Sequence, residues 1–221
     1  MLTMRRVSFT NNQFYHVYNR GNNKREIFFR DFDLSRFLQG LSDFNAEDPI
    51  GSIYVNSFKK GQLSGEATKL VNVVAYCLNP NHFHLILEQV IDNGISKFMH
   101  RQGTGYTRYF NEKYNFTGSL FQGPFKAIHV DSNEYLLHLS AYVNLNKEAH
   151  GWRYNDALVP SISSWDEYVN RPKVGSLCNT DPILSQFKNP DEYRKFALDS
   201  LETVRARKEM QKSLELALLT T

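Results

Sequence analysis

The stretch Val71–Gln89, VNVVAYCLNPNHFHLILEQ, constrains the fold more than any other part of the chain. Two apolar runs, VNVVAYCL and HFHLILE, stand on either side of Asn79–Pro80–Asn81. Each is short, rich in branched or aromatic residues and bounded by turn formers, which is the pattern of a strand and not of a helix. The first is apolar but for Asn72, as suits a strand covered on both faces. Together they read as a hairpin at the middle of a sheet.

The rest of the chain supplies what such a sheet needs. Phe14–Arg20, FYHVYNR, reads as a strand that runs into a turn at Gly21 and Asn22. From Asp31 to Leu41, the residues Phe32, Leu34, Phe37, Leu38 and Leu41 fall on one helical face. Residues 42–69 read as an irregular connection with a short strand around Ile53–Val55. Ile95–Tyr114 has helical periodicity, with Gly103 and Gly105 marking a potential break. Phe125–Val130 reads as another strand, and Ser132 or Asn133 can cap a helix that starts at Glu134.

Composition sets the boundaries of this reading. The chain has 221 residues, 41% hydrophobic and 14% aromatic, enough to bury a core. Beyond Gly151 the texture changes to Trp, Pro, Ser and Asn punctuation followed by a helical tail, so we expect a domain over 1–150 and a C-terminal extension over 151–221. Within that tail Arg205, Arg207, Lys208 and Lys212 alternate with apolar residues, as in a packing helix. Cys77 and Cys178 have no CxxC spacing, which argues against a thiolate zinc site and a disulfide framework. A net charge of +3 is too small to diagnose a nucleic-acid binder without local clustering. No apolar run approaches the ~18–20 residues of a membrane helix, and the start lacks the apolar core of a signal peptide, so the expected location is the cytoplasm without membrane association.

Chemistry is concentrated at two places. Strand alternation turns His82, His84, Ile86 and Glu88 one way and Phe83, Leu85 and Leu87 the other. The two imidazoles then stand about 6.6 Å apart at ~3.3 Å per residue, near enough to converge on one ion. An isolated His-x-His is also how two solvent-facing or core histidines would look. A histidine-triad hydrolase would need a third histidine where Ile86 stands, and a metal-dependent barrel hydrolase needs a longer chain. In SAYVNLN, Tyr142 and Asn146 lie four residues apart on one helical face with Tyr135 and Leu139. If that face covers the histidine strand, a phenol and an amide oxygen join the two imidazoles around Mg²⁺ or Mn²⁺. Otherwise the helix is simply amphipathic and Tyr142 is core.

Taken in order, YHVYNRG, NPNHFHLIL, YTRYFNEKYNFTGSLFQGPFKAI and DSNEYLLHLSAYVNLN resemble the REP-associated tyrosine transposases, single-tyrosine HUH enzymes of the IS200-like kind. The resemblance spans roughly residues 13–170. It implies an α+β fold of the ferredoxin-like type, an antiparallel sheet flanked by helices, with the histidines on a central strand and the tyrosine on a helix laid across it. It places the HUH motif on His82, Phe83 and His84, the nucleophile on Tyr142 and the third metal ligand on Asn146. Two departures stand out: Asn146–Lys147–Glu148 where relatives read Asn-Pro-Val, and Gly123–Pro124–Phe125 where many read Gly-Arg-Phe.

The reaction so implied is metal-dependent cleavage and rejoining of single-stranded or hairpin DNA through a 5′-phosphotyrosine, by a monomer or homodimer. Phosphate contacts are expected from Arg20, Lys24, Arg25, Arg101, Arg108 and Lys126. Tyr106 is either a platform for an unpaired base, a fallback nucleophile, or core. Two other classes stay open: a hairpin-DNA binder that has lost catalysis, and a metal-dependent phosphodiesterase that forms no adduct.

Overall fold

The computed structural model of the chain describes residues 7–51, 53, 68–150, 159–170 and 176–219. Of the expected strand at Ile53–Val55, all but Ile53 lies outside the described residues, as do the side chains of Arg205, Arg207, Lys208 and Lys212. Five strands form one antiparallel sheet: β1 Phe14–Arg20, β2 Val71–Asn79, β3 His82–Gln89, β4 Lys126–Val130 and β5 Ile162–Ser163. Their order is β4-β1-β3-β2-β5, so the histidine strand is central. β2 and β3 form the hairpin read from the sequence, with Asn79 opposite His82 and Cys77 opposite His84. β1 covers the other edge of β3, with Tyr18 opposite His84 and Arg20 opposite His82.

Alternation along the strands sorts two cores. Phe83, Leu85 and Leu87 of β3 join Tyr15 and Val17 of β1 beneath α1 (Asp31–Asp43) and α2 (Gly94–Tyr114). Ile86 joins Val74, Ala75 and Cys77 beneath α3 (Asn133–Asn144) and α7 (Pro190–Leu219). Three short helices complete the second layer: α4 (Asn146–His150), α5 (Trp165–Val169) and α6 (Asp181–Leu184). The result is an α+β sheet flanked by helices. No helix among the described residues is long and apolar enough to cross a membrane.

α2 runs unbroken through Gly103 and Gly105. A Cβ at Gly105 would lie 2.6 Å from the Phe44 ring, so the glycine serves the close approach of that ring and not a break in the helix. Arg30 is the N-cap of α1, and Asp33 Oδ2 accepts the backbone N–H groups of Phe29 and Arg30 at 2.8 and 3.0 Å. The same buried carboxylate receives the hydroxyls of Tyr109 and Tyr114 and the Lys113 ammonium, at 2.6, 2.7 and 2.7 Å. One side chain thus ties the start of α1 to the end of α2.

The residues after Ser161 are joined to the sheet and to α3 by buried polar contacts. Ser164 Oγ receives the Tyr76 N–H at 3.0 Å and donates to Asn144 Oδ1 at 2.6 Å. Tyr193 OH, on α7, receives the Asn144 amide at 2.9 Å, and Tyr168 OH donates to Val74 O at 2.9 Å. These bonds fix α3 against both the sheet and α7.

Burial raises the Asp33 carboxyl, but the bonds from Lys113, Tyr109, Tyr114 and the Phe29 N–H outweigh it and hold the group below the usual carboxylate range. A folded pKa below the unfolded one contributes stability that is present above the unfolded value and lost as pH falls through the folded one. Asp33→Asn is therefore expected to cost about 1–3 kcal/mol in urea unfolding at pH 7. The gap from wild type should close below about pH 4, as the wild-type carboxylate takes up its proton. A gap that persists undiminished at pH 3 would mean that the charge is not what matters.

Candidate active site on the α3 face of the sheet

Three strands contribute side chains to one patch of the face under α3. β3 brings His82 and His84, β1 brings His16, Tyr18 and Arg20, and β2 brings Cys77 and Asn79, all in register with one another. The His82 and His84 rings are 5.1 Å apart and perpendicular, at 88°. His84 is buried and His82 half-buried. The sequence brought these two together correctly as neighbours on one face.

His82 is held by partners that define its tautomer. His82 Nδ1 lies 2.7 Å from Asn81 Oδ1, which requires the hydrogen on Nδ1. Its Nε2 then accepts from Asn79 Nδ2 at 3.1 Å. That Asn79 amide also donates to Asn146 Oδ1 at 2.9 Å, so one NH₂ group satisfies lone pairs of both His82 and Asn146. The Cys77 thiol, pushed up to about 12 by burial and so uncharged, donates to Asn79 Oδ1 at 3.7 Å and sets which way the amide faces.

Tyr142 and Asn146 reach this patch from above. Tyr142 is half-buried, with its ring edge-on to His84 at 5.7 Å and to His16 at 6.5 Å. The sequence placed both residues on one continuous helix, but α3 ends at Asn144, with Leu145 as its cap, and α4 begins at Asn146. The physical cause is Asn144: its carbonyl is taken by Ser163 Oγ at 2.8 Å and its amide by Tyr193 and Ser164. Asn146 still lies close enough to the Tyr142 hydroxyl across the junction to influence its ionisation. Burial raises the Tyr142 phenol above its ordinary value, Asn146 opposes this, and the neighbouring Cys77 adds to the rise. Asn146 Nδ2 is buried without a hydrogen-bond partner.

Among the described residues no three His, Cys, Asp or Glu side chains are grouped to hold a metal ion. A cation at this site would need the asparagine. The arrangement fits such a donor set, because His82 Nε2 and Asn146 Oδ1 already point their lone pairs at a single spot, now filled by the electropositive Asn79 amide.

His16 went unrecognised in the sequence as part of this site. It is buried, lies 2.9 Å from His84 through Nε2 and Nδ1, and burial lowers it to about 4, so it is neutral at neutral pH. The signal was the alternation Phe14, His16, Tyr18, Arg20, which shares the histidine face once β1 is paired with β3. Asn79 and Cys77 were likewise hidden, since a strand asparagine and a buried thiol carry no motif.

The expected DNA-contact residues separate. Arg20 faces the site opposite His82, and its Nε is buried without a hydrogen-bond partner. Lys24 is exposed in the adjoining 3-10 turn, while Arg25 lies over the Phe116 ring at 4.2 Å. Lys126 is exposed on edge strand β4. Arg108 is exposed on the other layer, lining cavities of about 650 and 570 Å³. Arg101 is turned inward to bond the carbonyls of Ala46 and Glu47, which makes it a brace for that loop. Tyr106 must be corrected: it is 3% exposed, packs among Phe28, Phe37 and Phe110, and donates to Ile27 O at 2.6 Å. It is core on the far face of the sheet, available neither to a base nor as a nucleophile.

Comparison with known proteins finds likeness in one segment of sequence and in fold. Residues 62–146 match the family of IS200-like transposases, a span that holds His82, His84, Tyr142 and Asn146. A solved structure of a REP-associated tyrosine transposase bound to a REP hairpin is similar in fold, with a TM-score of 0.50 and 15% identity over 77% of this chain and 87% of that one. No curated protein matches the chain. The segment that carries the histidines, the tyrosine and the asparagine thus matches IS200-like transposases in sequence, and the sheet built around it is similar in fold to a REP-associated tyrosine transposase.

Proposed function

We propose that the chain cleaves and rejoins single-stranded DNA by transesterification, with Tyr142 as nucleophile and a divalent cation, Mg²⁺ or Mn²⁺, held by His82, His84 and Asn146. One observation carries this reading: a phenol stands edge-on to His84 at 5.7 Å, with Asn146 beside its hydroxyl, in a segment that matches IS200-like transposases. The hairpin held by the structural neighbour supports hairpin or single-stranded DNA as the partner.

In this reaction the Tyr142 oxygen bonds to phosphorus as the bond from phosphorus to the 3′ oxygen breaks. The phenol proton passes to water, and the leaving oxygen takes up a proton to become a 3′-OH. Attack by a 3′-OH on the phosphotyrosine reverses the exchange, so joining needs no external energy source. His82, His84 and Asn146 would hold the cation, which would supply Lewis-acid polarisation of the phosphate. α3, clamped through Asn144, keeps the Tyr142 hydroxyl in place, and Asn146 favours its phenolate. Arg20, Lys24 and Lys126 supply phosphate contacts beside the site.

Incubation of the chain with labelled hairpin oligonucleotides from repeats flanking its gene, in Mn²⁺, is expected to give a protein adduct on the 5′ end. Tyr142→Phe should abolish it, while Tyr106→Phe, a core change, should leave it in whatever fraction remains folded. Hairpin binding without an adduct would select the non-catalytic binder, and cleavage without an adduct the phosphodiesterase. Because burial keeps Tyr142 protonated at neutral pH, adduct formation should rise with pH, about tenfold per unit through pH 6–8. A flat profile over that range in single-turnover kinetics would remove phenol ionisation from the rate-limiting step.

A further inference from the structure

The reaction described above gives no role to His16, although it is the most enclosed imidazole of the patch after the sheet closes over it, at 7% exposure. We propose that His16 is a positioning residue that fixes His84 in the tautomer with its hydrogen on Nδ1, so that Nε2 keeps its lone pair for a divalent cation. The inference rests on the reading of His84 as a metal ligand and names the residue that prepares it.

The contact itself narrows the choices. His16 Nε2 and His84 Nδ1 are 2.9 Å apart, with ring planes inclined by 25°. Two bare lone pairs at that distance repel and two N–H groups collide, so a single hydrogen lies between them. If it belonged to His16, His84 would carry its own hydrogen on Nε2 and have no lone pair left for a cation. If it belongs to His84, Nδ1 is the donor and Nε2 the ligand atom. A metal-bound imidazole commonly donates its other N–H to a neighbouring acceptor, and that acceptor fixes both ring orientation and tautomer. Carboxylates and carbonyls usually fill this place; here a second imidazole does.

The sheet makes the contact unavoidable. Tyr18 pairs with His84, so His16, two residues earlier on the same face, is its diagonal neighbour. The Tyr18 ring lies 5.0 Å from His16 and 5.9 Å from His84, which leaves neither imidazole room to swing away. His82 obtains the same tautomer by other means, through Asn81. Both histidines of the pair would thus offer Nε2, each oriented by a different neighbour.

Long-range proton–nitrogen correlation spectra of the metal-free full-length chain test this directly, with His84→Gln identifying the His84 signals. Wild-type His84 is expected with its hydrogen on Nδ1, and His16→Phe should return it to the Nε2–H form that free imidazole side chains favour. Titration with Mn²⁺ alone should then show His16→Phe binding about 10–100-fold more weakly than wild type. His16→Gln, whose amide oxygen can accept the same hydrogen, should recover most of the affinity, and thermal unfolding tracks whether each variant is folded. A wild-type His84 carrying its hydrogen on Nε2 overturns the proposal whatever the variants do. So does a folded His16→Phe with wild-type Mn²⁺ affinity, or a wild-type chain that takes up no Mn²⁺. A chain whose Mn²⁺ affinity depends on His16 but which never forms a tyrosyl adduct would keep this inference and lose the proposed reaction.

Discussion

The register of β3 between β1 and β2 is the constraint on which the rest of this structure depends. Two rows cross the three strands side by side: Tyr18, His84 and Cys77 in one, Arg20, His82 and Asn79 in the next. The polar contacts of the patch are anchored on these rows, which His16, Asn81 and Asn146 reach through His84, His82 and Asn79. A slip of one residue would send both imidazoles into the aromatic core under α1 and α2, and would lift Phe83 and Leu85 toward α3. Burying imidazoles among Phe37, Tyr106 and Phe121 without partners is costly enough that this alternative is not a competitor. The apolar alternation of the strand and the placement of its chemistry are therefore the same fact.

Holding a phenol over that patch is a separate problem, and the solution lies in polar groups buried between α3, β2 and α7. Asn144 sits at its centre, bonded through its side chain to Tyr193 and Ser164 and through its carbonyl to Ser163. Ser140 adds a second contact to Tyr193 at 3.2 Å. Fully satisfied networks of this kind specify one arrangement, because any shift leaves a buried group without its partner. The same network ends α3 two residues before the sequence periodicity would, and so brings Asn146 beside both Asn79 and Tyr142.

What could be read from the sequence follows from which interactions are local. The β2–β3 hairpin, the strand at Phe14–Arg20, α1 and the Ser132 cap of α3 are written in alternation, periodicity and capping, and all appear where the chain predicts them. The His82 and His84 pair is legible for the same reason, since strand geometry alone places it. His16 required knowing that β1 lies beside β3, a pairing across more than sixty residues that no short window contains. Tyr106 shows the opposite failure. Its place beside Arg108 suggested a stacking platform, yet whether a helical tyrosine faces solvent or the core depends on which layer covers it. The bracing of the 46–47 loop by Arg101 went unforeseen because backbone carbonyls that a guanidinium can bind leave no mark in sequence.

Asn79 joins these threads. Its NH₂ group holds His82 Nε2 and Asn146 Oδ1 together at 3.1 and 2.9 Å, while the Cys77 thiol keeps the amide from flipping. Without a cation the site would otherwise contain converging lone pairs in a half-buried setting, which repel one another and destabilise the sheet that carries them. An internal donor relieves that repulsion and keeps the ligand atoms aimed at one point. A divalent ion arriving there would replace a neutral hydrogen-bond donor with a full charge, a gain that favours the ion without requiring the protein to rearrange its strands. On the proposed reading the Asn79 amide organises the site in advance, standing in weakly for the charge of a cation.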